Sequence, residues 1–196
     1  RGTEIKARAM YGQLPFAFRM MKEILTRSKL GDTKRIREIL DMLKSRLLMR
    51  FQSSGHTTAA LRALSYASPS AKFKDMTGGI EFYQFVADLT DHFEERKEDL
   101  TRALEALGRQ IFRGGNMMVS YTASREGLDG LEELVKEMKE GLFAGEAPET
   151  PCVIHCQKKN EGFKTASKVQ YVARTGNFID HGASYTGALP ILKGMA

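Results

Sequence analysis

Apolar residues recur along this chain in two rhythms, one at three- and four-residue steps and one that alternates. The helical rhythm dominates. Pro15 suits the first turn of a helix, where its missing N–H costs nothing, and Phe18, Met21, Ile24 and Leu25 follow at helical spacing. Gly31 stops that helix, and Asp32 is placed to cap the next by accepting from its orphan N–H groups. Ile36, Ile39, Leu40, Leu43, Leu47, Leu48 and Phe51 then form the most regular stripe of the chain. The run "QSSGHTTAALRALSYAS" reads as that helix continuing past Gly55 with a close-packed small face, and Pro69 and Gly78-Gly79 bracket a short irregular piece. Residues 80–93 and 94–112 read as two more helices. The second turns Leu100, Ala103, Leu104, Leu107 and Ile111 inward, and Gly114-Gly115 ends it. Residues 126–142 predict a last long helix with Leu131, Leu134, Val135 and Met138 on one face.

The alternating rhythm occurs four times. In residues 4–11, Ile5, Ala7, Ala9 and Tyr11 share a face; "NMMVSYTAS" and the stretches 152–157 and 167–175 also predict strands. Strands interrupted by sets of helices, with no regular βαβ alternation, predict an α+β fold. The run "GLFAGEAPETP" carries Gly141, Gly145, Pro148 and Pro151, the composition of a linker. It divides the chain into a domain over residues 1–143, a linker over 144–151, and a tail over 152–196 too short to fold easily alone. No internal repeat or low-complexity segment interrupts this reading.

Composition narrows the function classes. The chain has 196 residues, 42% apolar and 28% charged, the balance of a globular protein with a sizeable core. No apolar run is long enough to predict a membrane span, and the first residues lack the apolar stretch of a signal peptide. The sequence opens without Met, as expected of a piece of something longer. A net charge of +6 and a pI near 9.3 favour anionic partners. The distribution argues the other way: Lys34, Arg35, Arg37, Lys44, Arg46 and Arg50 make one basic helix, whereas Glu94, Glu95, Glu98, Asp99, Glu132, Glu133, Glu137 and Glu140 make later helices mixed or acidic. Nucleic acid is therefore disfavoured. A basic helical module over residues 34–50, binding nucleic acid or a protein partner, is the alternative reading.

No complete catalytic constellation emerges from the residues. In "PCVIHCQKKN", Cys152 and Cys156 would share one face of a strand and His155 the other, so the three cannot close on one tetrahedral zinc. The thiols would lie roughly 13 Å apart along a strand, beyond disulfide reach, and are expected reduced. That points to the cytoplasm or another reducing compartment, an organellar matrix included. "HFEER" places His92 and Glu95 as in a helical His-x-x-Glu-His zinc motif, but Arg96 occupies the last ligand position and would repel the metal. Ser53 and His56 in "SSGH" lack an orienting carboxylate identifiable from sequence. "TGG" and "RGG" are too short for phosphate loops, and the ten methionines fall mostly at core spacing.

Several phrases, in order, carry a resemblance: "RIREILDMLKSRLLMRFQSSGHTTAALRA", "GGIEFYQFVADL", "NMMVSYTASREG", and "KVQYVARTGNF" followed by "YTGALPILKGMA". Together they resemble the C-terminal half of a presequence-protease-type zinc metallopeptidase of the pitrilysin/insulinase superfamily. The resemblance implies helix-rich α+β domains with a largely antiparallel sheet, residues 1–143 being the later part of the third homologous domain and 152–196 the beginning of the fourth. It further implies two bowl-shaped halves enclosing a chamber for unfolded peptides. Zinc is held in the first domain by His-x-x-Glu-His and a distal Glu; the metal polarises water and the scissile carbonyl while the motif Glu takes the proton. An Arg and a Tyr of the fourth domain follow the helix that begins near Tyr185, and this sequence stops at Ala196 before that phrase. No catalytic, cofactor-binding or metal residue is therefore assigned, and zinc belongs to the parent enzyme alone. The implied partners are the N-terminal catalytic half of the same parent chain and unfolded peptide substrates, with no membrane. A tail without its sheet could also pair with another copy of itself.

Overall fold

A computed structural model describes residues 3–145, 151–165 and 168–195. Among these residues the chain forms eight α-helices and no strand: α1 (Leu14–Arg27), α2 (Thr33–Ser53), α3 (Gly55–Leu64), α4 (Pro69–Gly78), α5 (Ile80–Asp91), α6 (Phe93–Ile111), α7 (Leu131–Glu140) and α8 (Ala188–Met195). Short 3-10 turns fill in between. The expected α+β fold with a largely antiparallel sheet is thereby corrected to an all-helical one. The four alternating stretches carry neither helix nor ladder, and the sole bridge among the described residues joins Arg113 to Phe143. The reason is physical. Alternation states which faces a strand would offer, but a ladder also needs a second backbone alongside. The linker reading falls partly on residues 146–150, which lie outside the described residues.

Two compact units emerge, one from Arg1–Ile36 and Phe93–Thr150, the other from Arg37–His92 and Pro151–Ala196. In the first, Leu14, Phe18, Met21 and Leu25 recur at helical spacing along α1 and meet Leu131, Leu134, Val135 and Met138 of α7. Leu14, Phe18 and Met138 are the buried centre, with Met117 and Tyr121 closing over it. Pro15 sits in the first turn of α1 as expected. Gly130, just before α7, has φ +73°, a left-handed conformation that favours glycine. Lys22 reaches Glu137 at 3.1 Å across the rim. The Asp32 cap is present: its Oδ1 accepts from the Arg35 N–H at 3.0 Å. The expected inner face of α6 is less covered, since Leu107 and Ile111 are exposed.

In the second unit α4 packs against both α3 and α5. Leu47 of α2, Ala63, Ala71, Ile80, Val86 and Leu89 are buried. The helix expected to run on past Gly55 instead breaks at Ser54, whose backbone (φ −135°, ψ 44°) leaves the helical region. The piece between Pro69 and Gly78, expected to be irregular, is a helix. Ser68 caps it by accepting from the Ala71 N–H, and Pro69 stands in its first turn. Such caps offset the orphan donors that make short helices marginal. Gly79 separates α4 from α5 where no side chain fits: a Cβ there would lie 2.1 Å from Asp75 Oδ1 and 2.8 Å from Asp75 Cα.

Candidate functional site

The second unit buries a cluster of charges around one arginine. Arg62 of α3 is only 8% exposed, and Asp75 of α4 is fully buried. Arg62 Nη1 donates to Asp75 Oδ2 at 2.6 Å, while Nε and Nη2 reach Glu161 Oε2 at 2.9 and 2.7 Å. Glu81 of α5 lies 3.5 Å from Nη1 and is also bonded by Lys72. Tyr66, one turn beyond Arg62, donates its hydroxyl to the same Glu161 carboxylate, and its ring lies 5.5 Å from the guanidinium carbon. The other Asp75 oxygen accepts from the Ile80 N–H at 2.9 Å, so this buried carboxylate also starts α5. A guanidinium can serve several carboxylates at once because its donors fan out in a rigid plane.

The electrostatics follow from this packing. Burial pulls the Arg62 pKa down, but the bonds to Glu161 and Asp75 outweigh it and the net shift is upward. The Tyr66 hydroxyl holds the Glu161 carboxyl below its usual range, with burial opposing and Arg62 reinforcing. Burial, helped by the bond to Glu161, pushes the Tyr66 phenol up. The cluster is thus a fixed ionic clasp with no free nucleophile or general base.

Beside it lies a groove of about 1460 Å³. One wall is the small-residue face of α3 (Gly55, Ala59, Ala63) with Phe51 and Tyr83; the other is the chain on either side of residues 166–167. The Tyr171 ring rests on Gly55, where an added Cβ would meet it at 2.5 Å, and Thr175 Oγ1 donates to the Ala63 carbonyl at 2.8 Å. Gly55 to Ala63 spans about 12 Å of helix, and four extended residues span about 13 Å. Residues 171–175 therefore run extended along α3, in its direction. The small face expected here does permit close packing, with an extended segment as its partner.

The residues singled out from sequence come together in no such way. Cys152 is exposed and Cys156 half-buried, both as free thiols, and His155 is exposed. Among the described residues no three His, Cys, Asp or Glu side chains are grouped to hold a metal ion. His92 ends α5 and sits 3.2 Å from Asp88, whereas Glu95 and Arg96 belong to α6. Ser53 donates to the Arg50 carbonyl at 3.2 Å, and His56 faces the Tyr171 ring at 6.0 Å. The basic helix is partly neutralised: Lys44 pairs with Asp91 at 2.8 Å, Arg37 lies 4.0 Å from Asp41, and Arg50 donates to the Gly78 carbonyl. Sequence reasoning missed Arg62, Asp75 and Glu161. A signal existed for two of them: an arginine within the small run "TTAALRALS", and an acid shortly before Gly78-Gly79. Nothing local marks Glu161.

A family model for the peptidase-associated region of the 16C group of metallopeptidases matches residues 1–89. Protein HypA of Clostridium perfringens (strain 13 / Type A) is 30% identical over 190 residues, covering 97% of this chain and 19% of that protein. Presequence protease 1, chloroplastic/mitochondrial, of Arabidopsis thaliana is 22% identical over 192 residues, covering 96% of this chain and 18% of that protein. The chain is an insulinase-superfamily peptidase segment. The resemblance read from its phrases holds, and the insulinase-superfamily segment spans about a fifth of the length of the curated relatives it matches. It is a peptidase-associated part, related to a stretch within much longer proteins.

Proposed function

We propose that this insulinase-superfamily segment is a non-catalytic wall of the chamber in a zinc-dependent metalloendopeptidase that degrades unfolded peptides. One observation carries the reading: the match to the presequence protease runs along 96% of the chain. In this reading residues 1–143 close a third homologous domain, 152–196 open a fourth, and the zinc and its general base reside in the catalytic half. The clasp around Arg62 supports a scaffolding role, since all its charged groups are engaged with one another. Free Cys152 and Cys156 suit a reducing compartment, the cytoplasm or an organellar matrix.

A quenched-fluorescence peptide assay tests this with the chain alone and with a family catalytic half bearing His-x-x-Glu-His. The expected result is no cleavage by the chain alone and cleavage by the pair that depends on both. Cleavage by the chain alone, or a catalytic half indifferent to its presence, would overturn the proposal.

A further inference from the structure

The groove beside α3 has a charge that its own structure does not cancel. Its lining holds five cations, Arg62, Lys158, Lys159, Lys164 and Arg174, against two carboxylates, Glu161 and Asp180. Both carboxylates are engaged, Glu161 by Arg62 and Tyr66, Asp180 by the Asn177 amide at 2.9 Å. Lys158, Lys164 and Arg174 have no acidic partner among the described residues. The groove therefore presents uncompensated positive charge along its tail wall.

That wall has a second property. Residues 170–176 make no backbone–backbone hydrogen bond with any described residue, although residues 171–175 lie extended and are held in place at Tyr171 and Thr175. A fixed extended segment with unpaired N–H and C=O groups is the receptor geometry for strand addition by another polypeptide. The volume, about 1460 Å³, exceeds the roughly 300–1,000 Å³ of small-molecule sites. Single-stranded nucleic acid would want free aromatic faces for its bases. Here the Tyr171 ring is taken by Gly55 and His56, and the Phe163 ring lies 5.8 Å from the Arg62 guanidinium carbon.

We infer that this groove binds an acidic polypeptide segment in extended conformation, paired through its backbone to residues 170–176, with carboxylates directed at Lys158, Lys164 and Arg174. The inference goes beyond the chamber-wall reading and stands without it.

The probe is a fluorescein-labelled peptide of about ten residues, a typical strand's length or a little more, alternating Glu and Val so that its carboxylates share one face. Anisotropy titration should give saturable binding to the 196-residue chain. The combined variant Lys158→Glu, Lys164→Glu, Arg174→Glu should weaken it by about tenfold or more, while Lys34→Glu on the basic helix leaves it unchanged within about twofold. N-methylation of alternate probe residues should abolish it, because that removes the donors a ladder needs. Failure of the acidic probe to bind overturns the inference. So does equal binding of a Lys/Val probe, insensitivity to the triple variant or to N-methylation, or binding of an oligothymidine strand in place of the peptide.

Discussion

Replacing Arg62 by alanine removes the one cation that faces Asp75, Glu161 and Glu81 together. The three acids respond differently. Glu161 and Glu81 keep a quarter to a third of their side-chain surface in water and can turn outward, and Glu81 retains Lys72. Asp75 cannot: its side chain is 1% exposed and tied to the Ile80 N–H that begins α5. Its charge would be left buried with a single backbone donor. Removing one partner of a buried ion pair costs about 3–5 kcal/mol, chiefly through the stranded charge. Because two of the three acids can rehydrate, we expect the lower part of that range. The comparison variant is Arg102→Ala, whose pair with Asp99 is three-quarters exposed and should cost no more than about 1 kcal/mol. Urea unfolding followed by far-UV circular dichroism measures both. A double-mutant cycle with Asp75→Asn, which keeps the acceptor for Ile80 but deletes the charge, should return a coupling of about 0.5–3 kcal/mol. Equal costs for Arg62→Ala and Arg102→Ala, or no coupling to Asp75, would refute the view of Arg62 as the hub of the unit.

Other expectations are as specific. The Glu161 carboxyl is held below its unfolded value, so its contribution to stability is full above about pH 4.3 and is lost as pH falls through the lower folded value; Glu161→Gln should therefore destabilise at pH 7 and progressively less below pH 4.3, and a deficit constant down to pH 3 would contradict this. Gly79→Ala drives a Cβ into Asp75 backbone and should cost about 1–3 kcal/mol, whereas Gly78→Ala has open space and should be neutral or gain a few tenths; matched thermal shifts for the two would show the turn is not tight. Leu47→Ala, at 5% exposure, should cost about 2–5 kcal/mol and half-buried Leu43→Ala less. Lys44→Ala loses only the partly exposed pair with Asp91 and should stay within about 1 kcal/mol, so equal melting shifts at 44 and 47 would mean that the buried face of α2 is misassigned.

The sequence by itself determined those features whose cause lies within about four residues. Helices α1, α2, α5, α6 and α7 were legible because helical periodicity compares each residue with neighbours one turn away, and so were the Pro15 start and the Asp32 cap. The matching faces of α1 and α7 were legible for the same reason, as Phe18 and Met138 attest. The order of phrases also sufficed to place the chain with its family. Only the tertiary structure decided what depends on remote partners. Residues 4–11 and 116–124 alternate as strands do, yet whether a strand forms depends on a second backbone that no local pattern encodes. The break at Ser54 and the helix over Pro69–Gly78 reflect packing of α3, α4 and α5 that overrides weak local preference. The Arg62 clasp joins residues 13 and 99 positions apart, and its chemistry exists only because folding removes Arg62 and Asp75 from water together. Burial, not residue type, turns an ordinary arginine and an ordinary aspartate into the centre of a unit.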